Sequence, residues 1–310
     1  MIGVIGCGGH AKRHIKYLRE LGQEVVLYHP TKYPDFEKLL RCKGIIISSP
    51  TNTHIEYVRR LSEYRGKIYL EKPGFTNPDE AFELGNCGLN IMIGYHYPYT
   101  ILKKISEMIK GETILSFDII MSKGIAYKKP YRDRGSVSEM GLGHVISIYK
   151  LFGGDIFDIK TELYYNNENG IHDTAVVVAP RFRGTFTWGG PLLDPQINIV
   201  TTNTLVNVSS SEVIVRSPRD TFDSNGWFTE PPIIFHKSID GFNIKPCLQY
   251  FLENDTFSLE DLKHSIDISL ISHYNKWMKQ ELRQIVLPIL MKNMDSNTDI
   301  YKIADQLVES

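Results

Sequence analysis

The chain places its chemically capable residues at the ends of short apolar runs. "GVIGCGGHA" carries Gly6, Gly8 and Ala11 in the spacing G-x-G-x-x-A. Gly6 allows a tight turn out of a strand. Gly8 lets a pyrophosphate approach the backbone at a helix N-terminus, and Ala11 permits that helix to pack closely. Gly9 and His10 belong to the same loop. The pattern points to a dinucleotide; a tight turn with no ligand is the bland alternative. The next run, "EVVLY", leads into His29, Pro30, Thr31 and Lys32, with no carboxylate before Asp35. A carboxylate there would hold ribose hydroxyls and repel a 2′-phosphate, whereas Thr31 and Lys32 suit a phosphate. NADP is therefore slightly favoured over NAD. The alternative is a solvated Lys32 and an NAD held by backbone contacts.

Further polar groups follow the third, fourth and fifth runs. "SSPTNTH" supplies Ser49, Pro50, Asn52 and His54, which would line a ribose and nicotinamide, although His54 also reads as a helix-start packing residue. Glu71, Lys72 and Pro73 close the fourth run; the tripeptide alone reads as a charged strand end with a turn proline. "GYHYPY" offers Tyr95 and His96 as groups that pack on sugar faces, with core packing the default for the tyrosine. Lys123, Tyr127 and Arg132 lie in a basic, polar stretch suited to carboxylate or phosphate recognition, or to plain solvation.

These residues need a scaffold. Over the first hundred positions, branched apolar runs ("IGVIG", "EVVLY", "GIIISS", "KIYLE", "NIMIG") alternate with helical patterns, such as Ala11, Ile15, Leu18 and Leu21 on one face. Continuous apolar strands separated by helices imply a parallel sheet covered on both faces, a doubly wound α/β Rossmann domain over residues 1–98. From about residue 113, strand signals follow one another with turn residues between them. This predicts an α+β domain over 99–310, with a large, mainly antiparallel open-faced sheet, one helix near Glu139 to Leu151 and a helical tail.

The ordered set "GxGxxA … SPTNTH … EKP … GYHYP … EMGLGH" resembles the Gfo/Idh/MocA oxidoreductase family over nearly the whole chain. The resemblance implies NAD(P)-dependent hydride transfer between nicotinamide and a hydroxyl or carbonyl of a sugar, cyclitol or sugar nucleotide. It implies an active-site role for Lys72 beside a cis bond to Pro73, and a proton-exchanging role for His144. Glu71 would pair with a neighbouring base or the cofactor ribose. The family often has an aspartate four residues before the histidine and an acid three residues after it. Here those positions are Met140 and Ser147, and Glu139 is the nearby candidate to replace the first. The same scaffold would also suit a nicotinamide-recycling epimerase or lyase, or a catalytically inactive regulator. It further implies a homodimer or homotetramer formed through the second sheet.

Composition excludes several classes. The formal net charge is -1, so no global field favours nucleic acid or an anionic membrane. No apolar run approaches the roughly 20 residues of a membrane-spanning helix. Cys7, Cys42, Cys87 and Cys247 form no CxxC pair, so neither a disulfide framework nor a metal site is suggested. Met1 running directly into a strand pattern, together with this cysteine usage, gives a cytoplasmic location as the expectation.

Overall fold

The computed structural model describes residues 1–124, 141–165, 172–190, 193–217, 222–227 and 229–274. Tyr127, Arg132 and Glu139 lie outside the described residues. The chain divides into two compact units, Met1–His96 with the segment from Ile244, and Tyr97–Asn243.

In the first unit, β1 (Ile2–Ile5), β2 (Val25–Tyr28), β3 (Gly44–Ile47), β4 (Lys67–Leu70) and β5 (Asn90–Ile93) form a parallel sheet in the order β2-β1-β3-β4-β5. β1, β3 and β4 are buried along their whole length, which explains why they read as unbroken apolar runs. Between the strands run α1 (Gly9–Glu20), α2 (Glu37–Leu40), α3 (His54–Arg60) and α4 (Pro78–Asn86). α4 is well specified locally: the Asn77 side chain accepts the Glu80 N–H, and Pro78 occupies the first turn.

The second unit holds α5 (Ile101–Met108), β6 (Ile114–Gly124), α6 (Gly143–Leu151), β7 (Lys160–Tyr165), β8 (His172–Ala179), β9 (Phe182–Gly190), β10 (Leu193–Thr201), β11 (Leu205–Val208), β12 (Glu212–Arg216) and β13 (Ile233–Ser238). Among the described residues these strands form one sheet in the order β13-β12-β11-β10-β6-β9-β8-β7. Every pairing is antiparallel except β6 with β9. Phe117, Ile119, Met121, Ala175, Val177 and Phe186 are buried, whereas Ile120 and Val200 stay exposed. The sheet thus has one core face and one open face. β13 carries no clean alternation and was not anticipated.

The tail departs from the expected organisation. α7 (Lys245–Glu253) and α8 (Leu259–Tyr274) belong to the first unit rather than the second domain. The reason lies at the start of β4 and β5. Lys67 donates to the carbonyls of Leu252 (2.8 Å) and Asn254 (2.7 Å). Asn90 donates to the Asp255 carbonyl at 2.7 Å and accepts the Phe257 N–H at 2.8 Å. Two polar strand-start residues therefore satisfy the backbone that joins the two tail helices. Among the described residues no helix is long and apolar enough to cross a membrane.

Candidate active site

The parallel register aligns the strand ends. Ile5 pairs with both Tyr28 and Ile47, Ile47 with Leu70, and Leu70 with Ile93. The ladder continues for one residue, with Gly6, Ser48, Glu71 and Gly94 donating to Tyr28, Ile5, Ile47 and Leu70. The glycine loop, the Ser49–His54 turn, the Glu71–Pro73 turn and the Tyr95–His96 segment therefore all leave the sheet along one edge. In open α/β sheets, ligands bind beyond this edge.

Gly6 has φ +113, and an added Cβ would stand 2.6 Å from the Ser48 carbonyl oxygen. Only glycine fits this turn without strain. At Gly8 and Gly9 a Cβ would meet nothing within 4 Å. The N-terminus of α1 has no side-chain cap and no acid in its first turn. Ser48, at the neighbouring strand end, has a buried hydroxyl with no hydrogen-bond partner. Open space above uncapped helix N–H groups, with an unsatisfied hydroxyl beside them, fits a pyrophosphate. Ala11 is fully buried, consistent with its assigned packing role.

After β2, His29 Nδ1 accepts the Thr31 N–H (3.3 Å) and lies 3.1 Å from the Thr31 hydroxyl. His29 also pairs through its backbone with Tyr33. Lys32 is exposed. Asp35 is occupied in accepting the Lys38 N–H at 3.1 Å, so it is engaged at the start of α2.

The third and fourth strand ends are joined by His54. It is buried, with Nδ1 at 3.0 Å from the Pro73 carbonyl and Nε2 at 3.0 Å from the Ser49 carbonyl. Burial pushes the ring below its ordinary value, against the opposing pull of the Ser49 bond and the Glu71 charge. His54 is thus a brace between two loops, the packing role considered from the sequence. Pro50 and Asn52 are exposed, and Ser49 accepts the Thr53 hydroxyl at 2.8 Å. The Lys72–Pro73 bond is cis, and Lys72 is half-buried.

Glu71 does pair with a base, and that base was missed. His14 Nε2 lies 2.6 Å from Glu71 Oε1, while His10 Nδ1 is 3.9 Å from the same oxygen. Glu71 Oε2 accepts the backbone N–H of Lys72 at 3.2 Å. Burial alone would raise the carboxyl pKa; the His14 hydrogen bond, with the His10 and Lys72 charges, holds it well below the usual range. The expected apolar face of α1 was Ala11, Ile15, Leu18 and Leu21. The residues buried are Ala11, His14 and Leu18. A histidine three residues after a buried alanine was the available signal.

Two other candidates have structural surroundings. Tyr95 is buried, and its hydroxyl is 2.7 Å from Ser269 Oγ of α8, so it packs in the first unit's core instead of presenting a sugar platform. His96, next along the chain, is half-buried.

In the second unit, His144 is in the first turn of α6 and only 3% exposed, its ring edge-on to Tyr97 at 4.9 Å. α6 lies tightly on the sheet: a Cβ at Gly141 would fall within the Phe186 ring, and one at Gly184 would collide with Val145. Gly141 is therefore required for close packing of the chain just ahead of His144 on the sheet. Ser147 turns its hydroxyl back to the His144 carbonyl at 2.8 Å. Lys123 is on β6, paired with Trp188 of β9.

No protein-family model matches the chain, and no curated protein matches it. Solved structures do. An oxidoreductase from Agrobacterium radiobacter, in complex with NAD+, L-tartaric acid and magnesium, superposes with TM-score 0.66 at 14% identity, covering 87% of this chain and 93% of that one. Levoglucosan dehydrogenase, in complex with NADH and levoglucosan, gives 0.65 at 15% identity, with coverages of 87% and 94%. The transcriptional regulator Gal80p from Kluyveromyces lactis gives 0.67 at 16% identity, with coverages of 91% and 92%. At these identities the likeness establishes the fold alone: a Rossmann domain with a mainly antiparallel sheet domain.

Proposed function

We propose that the chain is an NAD(P)-dependent oxidoreductase acting on a hydroxyl or carbonyl of a sugar-like compound, with NADP preferred. The observation that carries this reading is the single strand-end edge, where an uncapped α1 N-terminus with open space at Gly8 and Gly9 adjoins Glu71 and Lys72. Oxidoreductases among the solved structures of this fold support it. The bound nicotinamide would supply the hydride acceptor or donor. Gly6, Gly8 and the first turn of α1 hold its pyrophosphate, and Thr31 with Lys32 favour a 2′-phosphate. Lys72 orients and polarises the reacting oxygen. His144 exchanges the hydroxyl proton, histidine being the side chain most often used for that task.

The test combines binding and turnover. NADP+ and NAD+ are titrated against the purified chain, and sugars, cyclitols and sugar nucleotides are then screened for absorbance change of the nicotinamide. On the substrate found, K72M and H144N are each expected to lose roughly 100-fold or more in kcat while still binding cofactor. Retention of wild-type turnover by both variants, or binding of neither cofactor by the wild type, would refute the reading.

A further inference from the structure

We propose that His14 is a positioning residue that acts on Lys72 through Glu71. The consequence for catalysis rests on the role of Lys72 proposed above; the coupling itself does not. Glu71 and His14 are both buried, at 8% and 0% exposure, and come from the end of β4 and the second turn of α1. Each carboxylate oxygen has its own partner: Oε1 the His14 ring at 2.6 Å, Oε2 the Lys72 backbone N–H at 3.2 Å. The carboxylate therefore links an interior histidine to the backbone of the residue placed at the reacting oxygen.

The ring's other nitrogen shows how the pair is protonated. His14 Nδ1 is buried with no hydrogen-bond partner. A buried N–H without an acceptor is costlier than a bare lone pair, so the ring is assigned as neutral with its proton on Nε2, donated to Glu71. Glu71 then keeps its negative charge. The other charged or titratable groups facing it are His10 from α1, Lys72 from its own turn, His54 from α3 and the buried Cys247 thiol from α7. His10 is part-exposed and 3.9 Å away, so the close charge-stabilising donor in the interior is His14. Without it, a buried carboxyl would take up a proton near neutral pH, and the Lys72 N–H would lose a charged acceptor. His14 also packs edge-on to Tyr69 at 5.2 Å, so a phenyl ring replaces its shape while removing its nitrogens.

The test uses the full chain with 13C-labelled glutamate and 15N-labelled backbone; E71Q identifies the Glu71 carboxyl signal. In the wild type, the Glu71 carboxyl and the Lys72 amide should show no titration between about pH 5 and 8. In H14F both should titrate together within that range, a rise of about 3 units or more in the carboxyl midpoint. H14Q, whose amide can still donate, should restore wild-type behaviour. A wild-type Glu71 that titrates in this range overturns the proposal even if H14F fails to fold. So does an H14F protein whose Lys72 amide stays constant. A wild type that binds neither NADP+ nor NAD+ refutes the proposed function and leaves these readings intact.

Discussion

His54 Nδ1 lies 3.0 Å from the carbonyl oxygen of Pro73, while the opposite ring nitrogen reaches Ser49. One buried ring thus stands between the turn after β3 and the turn that carries Lys72; when neutral it donates its single N–H to one of the two carbonyls and packs against the other. Burial holds its pKa below the ordinary 6.5. The folded chain therefore takes up this proton less readily than the unfolded chain, and stability contributed by the neutral ring falls as pH drops below that value. H54N should lose about 1–3 kcal/mol near pH 8. It should also show a weaker loss on acidification from pH 7 to 5, measured by chemical denaturation at each pH. An identical pH slope in both proteins would contradict this.

Gly6 and Gly8 should respond differently to a methyl group. At Gly6 the Cβ meets the Ser48 carbonyl and φ is +113, so G6A should cost about 2–4 kcal/mol of stability. At Gly8 an added Cβ would meet nothing within 4 Å, and φ is -73. G8A should therefore fold with only a small loss in Tm, yet lose at least about tenfold in NADP+ affinity by blocking approach to the helix N-terminus. Thermal melts alongside binding titrations separate the two effects.

Lys32 should decide the choice of cofactor. Its exposure leaves it available to a 2′-phosphate, and Asp35 is engaged at α2. K32A should weaken NADP+ binding about tenfold, roughly 1.4 kcal/mol, with NAD+ changed little. Equal losses for both cofactors would place Lys32 elsewhere.

Lys67 should matter for stability without touching cofactor chemistry. Its side chain is 4% exposed, and its ammonium satisfies one carbonyl in the last turn of α7 and one just after it. K67M should destabilise the chain by about 2–4 kcal/mol and speed hydrogen exchange in α7 and at the α7–α8 link. Exchange unchanged in those segments would count against the tie.

The sequence by itself determined the local features. Glycine spacing, whole apolar strands and strand signals separated by turn residues report on backbone conformation and on which segments are buried, and these depend on near neighbours. They sufficed for the Rossmann sheet, the loop at Gly6 and Gly8, and the antiparallel second sheet. Tertiary structure decided what depends on distant partners. His14 and Glu71 meet across 57 residues. Tyr95 turns inward, its hydroxyl hydrogen-bonded with that of Ser269. The helices after Ile244 return to the first unit because Lys67 and Asn90 satisfy their connecting backbone. Pairings of this kind are set by packing and by the cost of unsatisfied buried polar groups, and no local pattern encodes them.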